Sequence, residues 1–325
     1  MRLRLPVAVR DLLRCPVCRE RLLEDDFGLR CVNDACGGRF PVVNGVPVLL
    51  NEKRSLFRID EVAKGQAFAS ELRREGRQRL LRTLIPTISR NIKARANLAR
   101  FARLLLERPG EPRVLVIGGG TLGAGMNSLL SSPSIQLVET DVTLGGRAML
   151  VVDGHDIPFA DESFDGVIIQ AVLEYLVEPG RCVDEIHRVL KPQGLVYAET
   201  PFMQQVHGGR LDFNRFTHLG HRRLFRKFTE IASGAVCGPG MALAWAWEYF
   251  LSSFAESRGL RRLLVAFACL TSFYLKYFDY VLVNKKGAYD AASAYYFLGR
   301  KSEHVLPDRE LTELYGGMLE AASRA

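Results

Sequence analysis

One short run constrains this chain more than any other: an apolar strand that ends in glycines. Arg113-Val-Leu-Val-Ile117 has the length and branched content of a buried strand, and it passes directly into Gly118-Gly-Gly-Thr-Leu-Gly123. Residues 126–130 are compatible with a helix. A strand, a glycine turn and a helix in that order bring backbone N–H groups and a helix N-terminus up to a ligand. A second strand over 135–140 ends at Asp141, placed to accept hydrogen bonds from ribose hydroxyls. The expected fold class is therefore α/β, a Rossmann-like sheet with helices on both faces. Taken alone, the motif also fits GxGxxG with an acid about 20 residues further on, so a nicotinamide dehydrogenase stays open beside an S-adenosylmethionine enzyme.

The next 60 residues narrow the choice. They run Val151-Val-Asp153-Gly-His-Asp-Ile157-Pro-Phe159, Asp161-Glu-Ser-Phe164-Asp165-Gly-Val-Ile-Ile-Gln170, Val172-Leu-Glu174-Tyr175-Leu and Val189-Leu-Lys-Pro192-Gln-Gly194-Leu-Val. This order of elements resembles the class I S-adenosylmethionine-dependent methyltransferases, of the group often called type 11. The resemblance implies that Gly118 and Gly120 hold the methionine end of the cofactor and Asp141 its ribose. It gives the adenine amino group to Asp153 with the backbone of Gly154, and places Gln170 on the methyl-donor pocket. Two positions depart from the pattern. Val116 stands where the family has an acid, with Glu139 and Glu174 as substitute charges, and Glu174-Tyr175 replaces the common Glu-His.

Four of the seven cysteines fall within 22 residues: Cys15, Cys18, Cys31 and Cys36. In a reducing compartment this crowding means metal rather than disulfide. Two close pairs, each on a tight turn, can face each other as a tetrahedral S4 site, and four sulfurs leave no open position for catalysis. A structural zinc is expected, supplying folding free energy to a unit too small to order itself. Residues 12–50 also resemble the zinc-ribbon family that activates tRNA, rRNA and protein methyltransferases by docking onto them. The four-residue gap before Cys36 is longer than that family's two.

Charge is divided along the chain. Residues 1–110 carry a net +11, residues 111–200 a net −8 and the remainder +5. The segment 61–107 reads as helical and Arg-rich, including Arg73, Arg74, Arg77 and Arg79, with Ile88, Ile92, Ala99, Ala102 and Leu106 as its buried face and a break at Pro86. It fits an RNA or membrane footprint. It fits better a solvated face that complements the acidic middle, since few aromatics are interleaved to stack on bases.

The expected organisation is a zinc ribbon over 1–51, a basic helical linker over 52–110, a methyltransferase domain over 111–302 and a tail over 303–325. The acceptor pocket is expected after the fifth strand. There Pro201-Phe, His207, Asp212-Phe-Asn-Arg215-Phe-Thr217 resembles a PFxxxxHxxxxDFxRFT segment of methyltransferases from sugar, lipid and natural-product pathways. His207 is the candidate base, against a role in fixing the loop with Asp212. Asp212 and Arg215 are candidate substrate contacts, with Arg215 equally suited to locking the lid. An insertion at about 238–291 is rich in Leu, Phe, Trp and Tyr, with basic residues at its edges. Residues 241–283 read as a helical cap on the sheet or as a peripheral membrane surface. No stretch reaches the roughly 20 apolar residues that span a bilayer, and the N-terminus lacks the apolar core of a signal peptide, so a cytoplasmic protein is expected. The leading expectation is methyl transfer to a small or lipid-linked metabolite, with a glycan precursor as one such acceptor. An rRNA or tRNA methyltransferase, or an inactive scaffold that binds proteins, are the alternatives.

Overall fold

The computed structural model describes residues 3–65 and 85–318. Eleven strands form a sheet in the order β1-β2-β3-β4-β7-β6-β5-β8-β9-β11-β10. The catalytic half begins with β5 (Arg113–Ile117), β6 (Gln136–Asp141), β7 (Leu150–Val152), β8 (Phe164–Gln170) and β9 (Leu190–Pro201), all mutually parallel. The pair β10 (Phe228–Cys237) and β11 (Ala294–Lys301) closes it, with β11 antiparallel between β9 and β10. From β5 the chain first winds outward through β6 to β7, then returns to β8 on the other side of β5. The carboxyl ends of β5 and β8 thus form the switch point where open α/β sheets bind ligands. This is the Rossmann-like sheet that the glycine turn implied.

Both faces of the parallel core are covered, as continuous apolar strands require. Ala94–Leu106 is a helix whose Leu98, Phe101 and Leu105 are buried against one face. A Cβ at Gly166 on β8 would stand 2.7 Å from the Phe101 ring, so glycine there lets the helix lie close. Pro179–Val189 covers the other face with Val183, Ile186 and Val189. The helix Ala94–Leu106 therefore packs on the parallel sheet. Its buried stripe is Ala94, Leu98, Phe101, Ala102 and Leu105, whereas Ala99 and Leu106 face solvent. The expected stripe was rotated, because packing on the sheet selects the face that carries Phe101. The arginines at 73, 74, 77 and 79 lie outside the described residues.

The N-terminal residues form two hairpins, β1 (Leu22–Asp25) with β2 (Gly28–Cys31) and β3 (Arg39–Val43) with β4 (Val46–Leu49). Asn44 and Gly45 turn the second with φ of 51° and 80°, the left-handed pair that an Asn-Gly hairpin supplies. Strand β4 then pairs in parallel with β7, Val48 opposite Val151 and Leu49 opposite Val152, so the cysteine-bearing unit extends the catalytic sheet. Cys15, Cys31 and Phe40 share one core with Phe159, Phe164 and Ile186. Basic and acidic regions meet at this junction, with Arg19 at 2.7 Å from Glu185 and Arg54 at 3.9 Å from Asp156.

Candidate active site

The glycine turn sits at the carboxyl end of β5. Gly118 has a φ of 75°, and a Cβ on it would approach Val172 Cγ2 to 2.3 Å, so only glycine fits. A cavity of about 330 Å³ opens against this turn, with Glu139, Gln170, Asn91 and Glu199 among its walls. Gln170 donates to the Ala124 carbonyl at 3.2 Å, which fixes the far side of the turn. Glu139 is buried and receives Arg147 Nε at 2.6 Å. Of the two acids expected to stand in for the one missing at Val116, Glu139 lines this space and Glu174 does not; Glu199 is its other acidic wall.

Four of the residues expected to hold a nucleotide stand outside the walls of that cavity: Gly120, Asp141, Asp153 and Gly154. Asp141 is turned back onto the glycine loop and accepts from Gly120 N at 3.0 Å and from the amide and hydroxyl of Thr143 at 2.9 and 2.8 Å. Asp153 is buried. It accepts from His155 N and Nδ1 at 3.0 and 2.6 Å and from the Ser55 hydroxyl at 2.6 Å. Burial would raise its pKa, but the bonds from His155 and Ser55 hold it below the usual carboxylate value. Gly154 faces Cys182 Sγ. Ser55 follows the cysteine unit in sequence, and its placement over Asp153 is a product of the β4–β7 pairing.

A second cavity of about 260 Å³ adjoins the first, and Asn91, Ala171 and Glu199 line both. Its other walls include Glu174, His207, Gln204 and Met241. Glu199, on β9, is buried and takes hydrogen bonds from the Tyr197 hydroxyl and from Asn91 Nδ2, the latter at 2.9 Å. Burial pushes its pKa up to about 7 despite those bonds. Glu174 is wholly buried, and neither carboxyl oxygen has a hydrogen-bond partner. Burial pushes its pKa up to about 8, with nearby Asp212 and Glu199 adding to the rise and Arg215 opposing it. An acid inside a strand and an acid in an apolar turn were visible in the sequence, but their desolvation and their meeting at one cavity were not. Asn91 carried no signal.

His207 lines the second cavity between Tyr175 and Trp245, with ring centroids at 5.9 and 5.8 Å. Its Nδ1 lies 3.0 Å from the Gln205 carbonyl, nearer than the Arg215 guanidinium at 3.4 Å, which assigns the ring proton to Nδ1. The Nε2 lone pair then faces Glu174, 3.9 Å away. Asp212 and Arg215 do not line this cavity. Asp212 accepts from the amides of His207 and Gly208 at 2.8 and 3.1 Å and from Arg215 Nη2 at 2.9 Å. Burial works against its charge, but Arg215 and the two amides hold its pKa down to about 2. Arg215 also donates to the Gln204 and Gln205 carbonyls at 2.8 and 3.0 Å. The pair braces the loop, meeting backbone groups that would otherwise be unpaired.

Cys15, Cys18, Cys31 and Cys36 converge with all four sulfurs within 4.8 Å of one another. The Cys15–Cys36 and Cys18–Cys31 separations are 3.7 and 3.4 Å. A tetrahedron with metal–sulfur bonds of about 2.3 Å has edges of about 3.8 Å, so the donor set fits one metal ion. The longer gap before Cys36 does not prevent convergence.

Residues 129–198 match the family model described as a methyltransferase domain. A demethylmenaquinone methyltransferase of Clavibacter sepedonicus is 36% identical over 77 residues, which is 24% of this chain and 26% of that protein. The chain thus matches about a quarter of this curated relative's length. Among solved structures, a chain of the complex between the Haloferax volcanii Trm112 methyltransferase activator and a methyltransferase is 18% identical. That alignment covers 73% of this chain and 96% of the other, with a TM-score of 0.43. Haemonchus contortus phosphoethanolamine N-methyltransferase 2, solved with S-adenosyl-L-methionine, is 16% identical over 64% of this chain and 53% of its own, with a TM-score of 0.43.

Proposed function

We propose that this protein is an S-adenosylmethionine-dependent methyltransferase whose acceptor occupies the second cavity. The observation that carries this reading is the pair of cavities joined across Asn91, Ala171 and Glu199, one against the glycine turn and one against His207 and Glu174. When bound, S-adenosylmethionine supplies a methyl group already activated on a sulfonium, so the protein's task is alignment more than covalent help. The residues present suit it. Gly118 presents backbone to the methionine end, Gly120 holds the turn through its amide bond to Asp141, and Glu139 supplies negative charge for the cationic groups. Gln170 borders the donor. Asp141 is assigned to the ribose, and Asp153 with the Gly154 backbone to adenine. Each carboxylate has three hydrogen bonds in place, and a carboxylate accepts about four, so each retains room for one more.

Acceptor hydroxyls and protonated amines must lose a proton. His207 Nε2 is the assigned base, with the Glu199 carboxylate beside it as a second proton acceptor near neutral pH. The acceptor is a small or lipid-linked metabolite, because the second cavity holds only about 260 Å³ and the insert supplies Met241 to its wall. The four cysteines hold a structural zinc that orders the unit extending the sheet. The test is a binding titration with S-adenosylmethionine, followed by transfer of tritiated methyl into a total extract separated into RNA, lipid and small-molecule fractions. Label in the lipid or small-molecule fraction supports the reading, and label in RNA makes the acceptor a nucleic acid. Tight NAD binding in place of S-adenosylmethionine would refute the cofactor assignment.

A further inference from the structure

The insert between β10 and β11 contains the helices Pro239–Ser252, Arg258–Ser272 and Leu275–Leu282. On the first, Leu243, Trp247 and Phe250, continued by Phe254 just beyond its end, recur at spacings of three and four and are all exposed. On the second, Leu263, Phe267 and Leu270 do the same, and the third adds Phe278 and Val281. Trp247 joins the first two stripes, donating to Thr271 at 3.0 Å while stacking on Phe250 at 5.9 Å. Nearly half of the large apolar side chains exposed among the described residues fall within 243–281. Isolated exposed leucines need no explanation, but a contiguous face of this kind marks an interaction surface.

The insert is held in place from below. Asp279 is buried and accepts from Gly240 N and Met241 N at 2.7 and 2.9 Å, and Trp245 Nε1 donates to Ser89 at 3.0 Å. The apolar face therefore points outward as a fixed part of the fold. Its fringe is basic, with Arg258, Arg261 and Arg262 at one end and Lys285 and Lys286 at the other, all exposed. Acids within 243–286 are few: Glu248, Glu256 and the buried Asp279. The longest helix, 15 residues, extends about 22 Å at 1.5 Å per residue, short of the roughly 30 Å hydrocarbon core. No helix of the described residues is long and apolar enough to cross a membrane.

We propose that this face docks in the plane of an anionic lipid bilayer, its aromatic and aliphatic stripes entering the interface and its basic fringe meeting the headgroups. Trp and Tyr among the exposed residues suit the headgroup boundary, and Lys and Arg at the edges suit anionic lipid. A second copy of the chain is a poorer occupant, because a two-fold contact through this face would bring five basic residues of its fringe against a like-charged partner with Glu256 as the only exposed acid of 243–286 to match them. Helix Pro239–Ser252 also contributes Met241 to the second cavity, so docking would set that cavity beside the membrane surface.

The experiment is co-sedimentation of the full chain with vesicles of phosphatidylcholine alone and of phosphatidylcholine mixed with phosphatidylglycerol. The expected result is binding to the mixed vesicles that weakens as salt rises, with weaker binding to phosphatidylcholine. The triple variant Phe250→Ser, Leu263→Ser, Phe267→Ser should lose at least about tenfold in affinity. All three side chains are exposed, and an unchanged thermal melt shows that the variant is folded. Absence of binding to both vesicle types, or equal binding by the folded variant, overturns the proposal. A concentration-dependent dimer abolished by the same substitutions, without vesicle binding, assigns the face to a second copy instead. None of these outcomes depends on methyl transfer.

Discussion

Replacing Glu174 by Gln should flatten the dependence of stability on pH. Burial raises the Glu174 pKa from 4.5 to about 8. The folded state therefore holds the proton more tightly than the unfolded chain, so the associated stability is complete below pH 4.5 and is lost as pH rises through 8. At about 1.4 kcal/mol per unit, a rise of 3.5 units corresponds to about 5 kcal/mol between those limits. The size follows from the site: neither oxygen has a partner, and the side chain has no exposed surface. Glu174→Gln removes the ionisation but leaves a buried amide to be satisfied, at a cost of about 1–3 kcal/mol. The variant should thus be somewhat less stable than the native chain at pH 5 and more stable at pH 9. The residual slope belongs to Glu199, which loses its own stabilisation as pH rises through about 7, and to His187, His218 and His221, whose burial-lowered pKa values add stability as pH rises toward 6.5. Thermal or urea denaturation of both proteins from pH 5 to pH 9 measures the difference. A native chain whose stability is constant over that range, or a variant whose curve runs parallel to the native one, refutes the reasoning.

Asp141→Ala should weaken S-adenosylmethionine binding by about 1–3 kcal/mol, because ribose hydroxyls and the Gly120 amide lose an acceptor; calorimetry reads this, and equal affinity in the variant counts against the assignment. Purified protein should carry one zinc per four thiolates, and chelation or Cys31→Ser should lower the melting temperature of the whole protein rather than of the N-terminal unit alone, since Cys15 and Cys31 lie in the common core. Elemental analysis and calorimetry test this, and a folded, zinc-free protein would contradict it. Replacing Arg73, Arg74, Arg77 and Arg79 by Gln should leave turnover nearly intact, while His207→Ala should abolish it. An RNA-binding defect in the arginine variant, with methyl label in rRNA, would reverse that assignment.

The sequence alone determined the elements whose information is local. A branched apolar strand followed by glycines needs no tertiary partner to declare itself, and Gly118 shows why, since no other residue tolerates its φ beside Val172. Cysteine spacing is equally local, and the four sulfurs converge as their positions implied. The helical insert was legible from its apolar run, although the structure divides residues 241–283 among three helices. Tertiary structure decided whatever depends on partners distant in the chain. It joined β4 to β7 and so made the cysteine unit part of the catalytic sheet, since one short strand edge looks like another until its register is chosen. The same docking covered Asp153 with Ser55. It rotated the buried stripe of Ala94–Leu106, because a helix with apolar residues on more than one side takes its inner face from what it packs against. It also closed Asp212 and Arg215 onto the backbone of their own loop, and brought Glu174, Glu199 and Asn91 to one place from three separate elements. Desolvation, which raises both glutamates, is a property of the assembled core, and no residue carries it by itself.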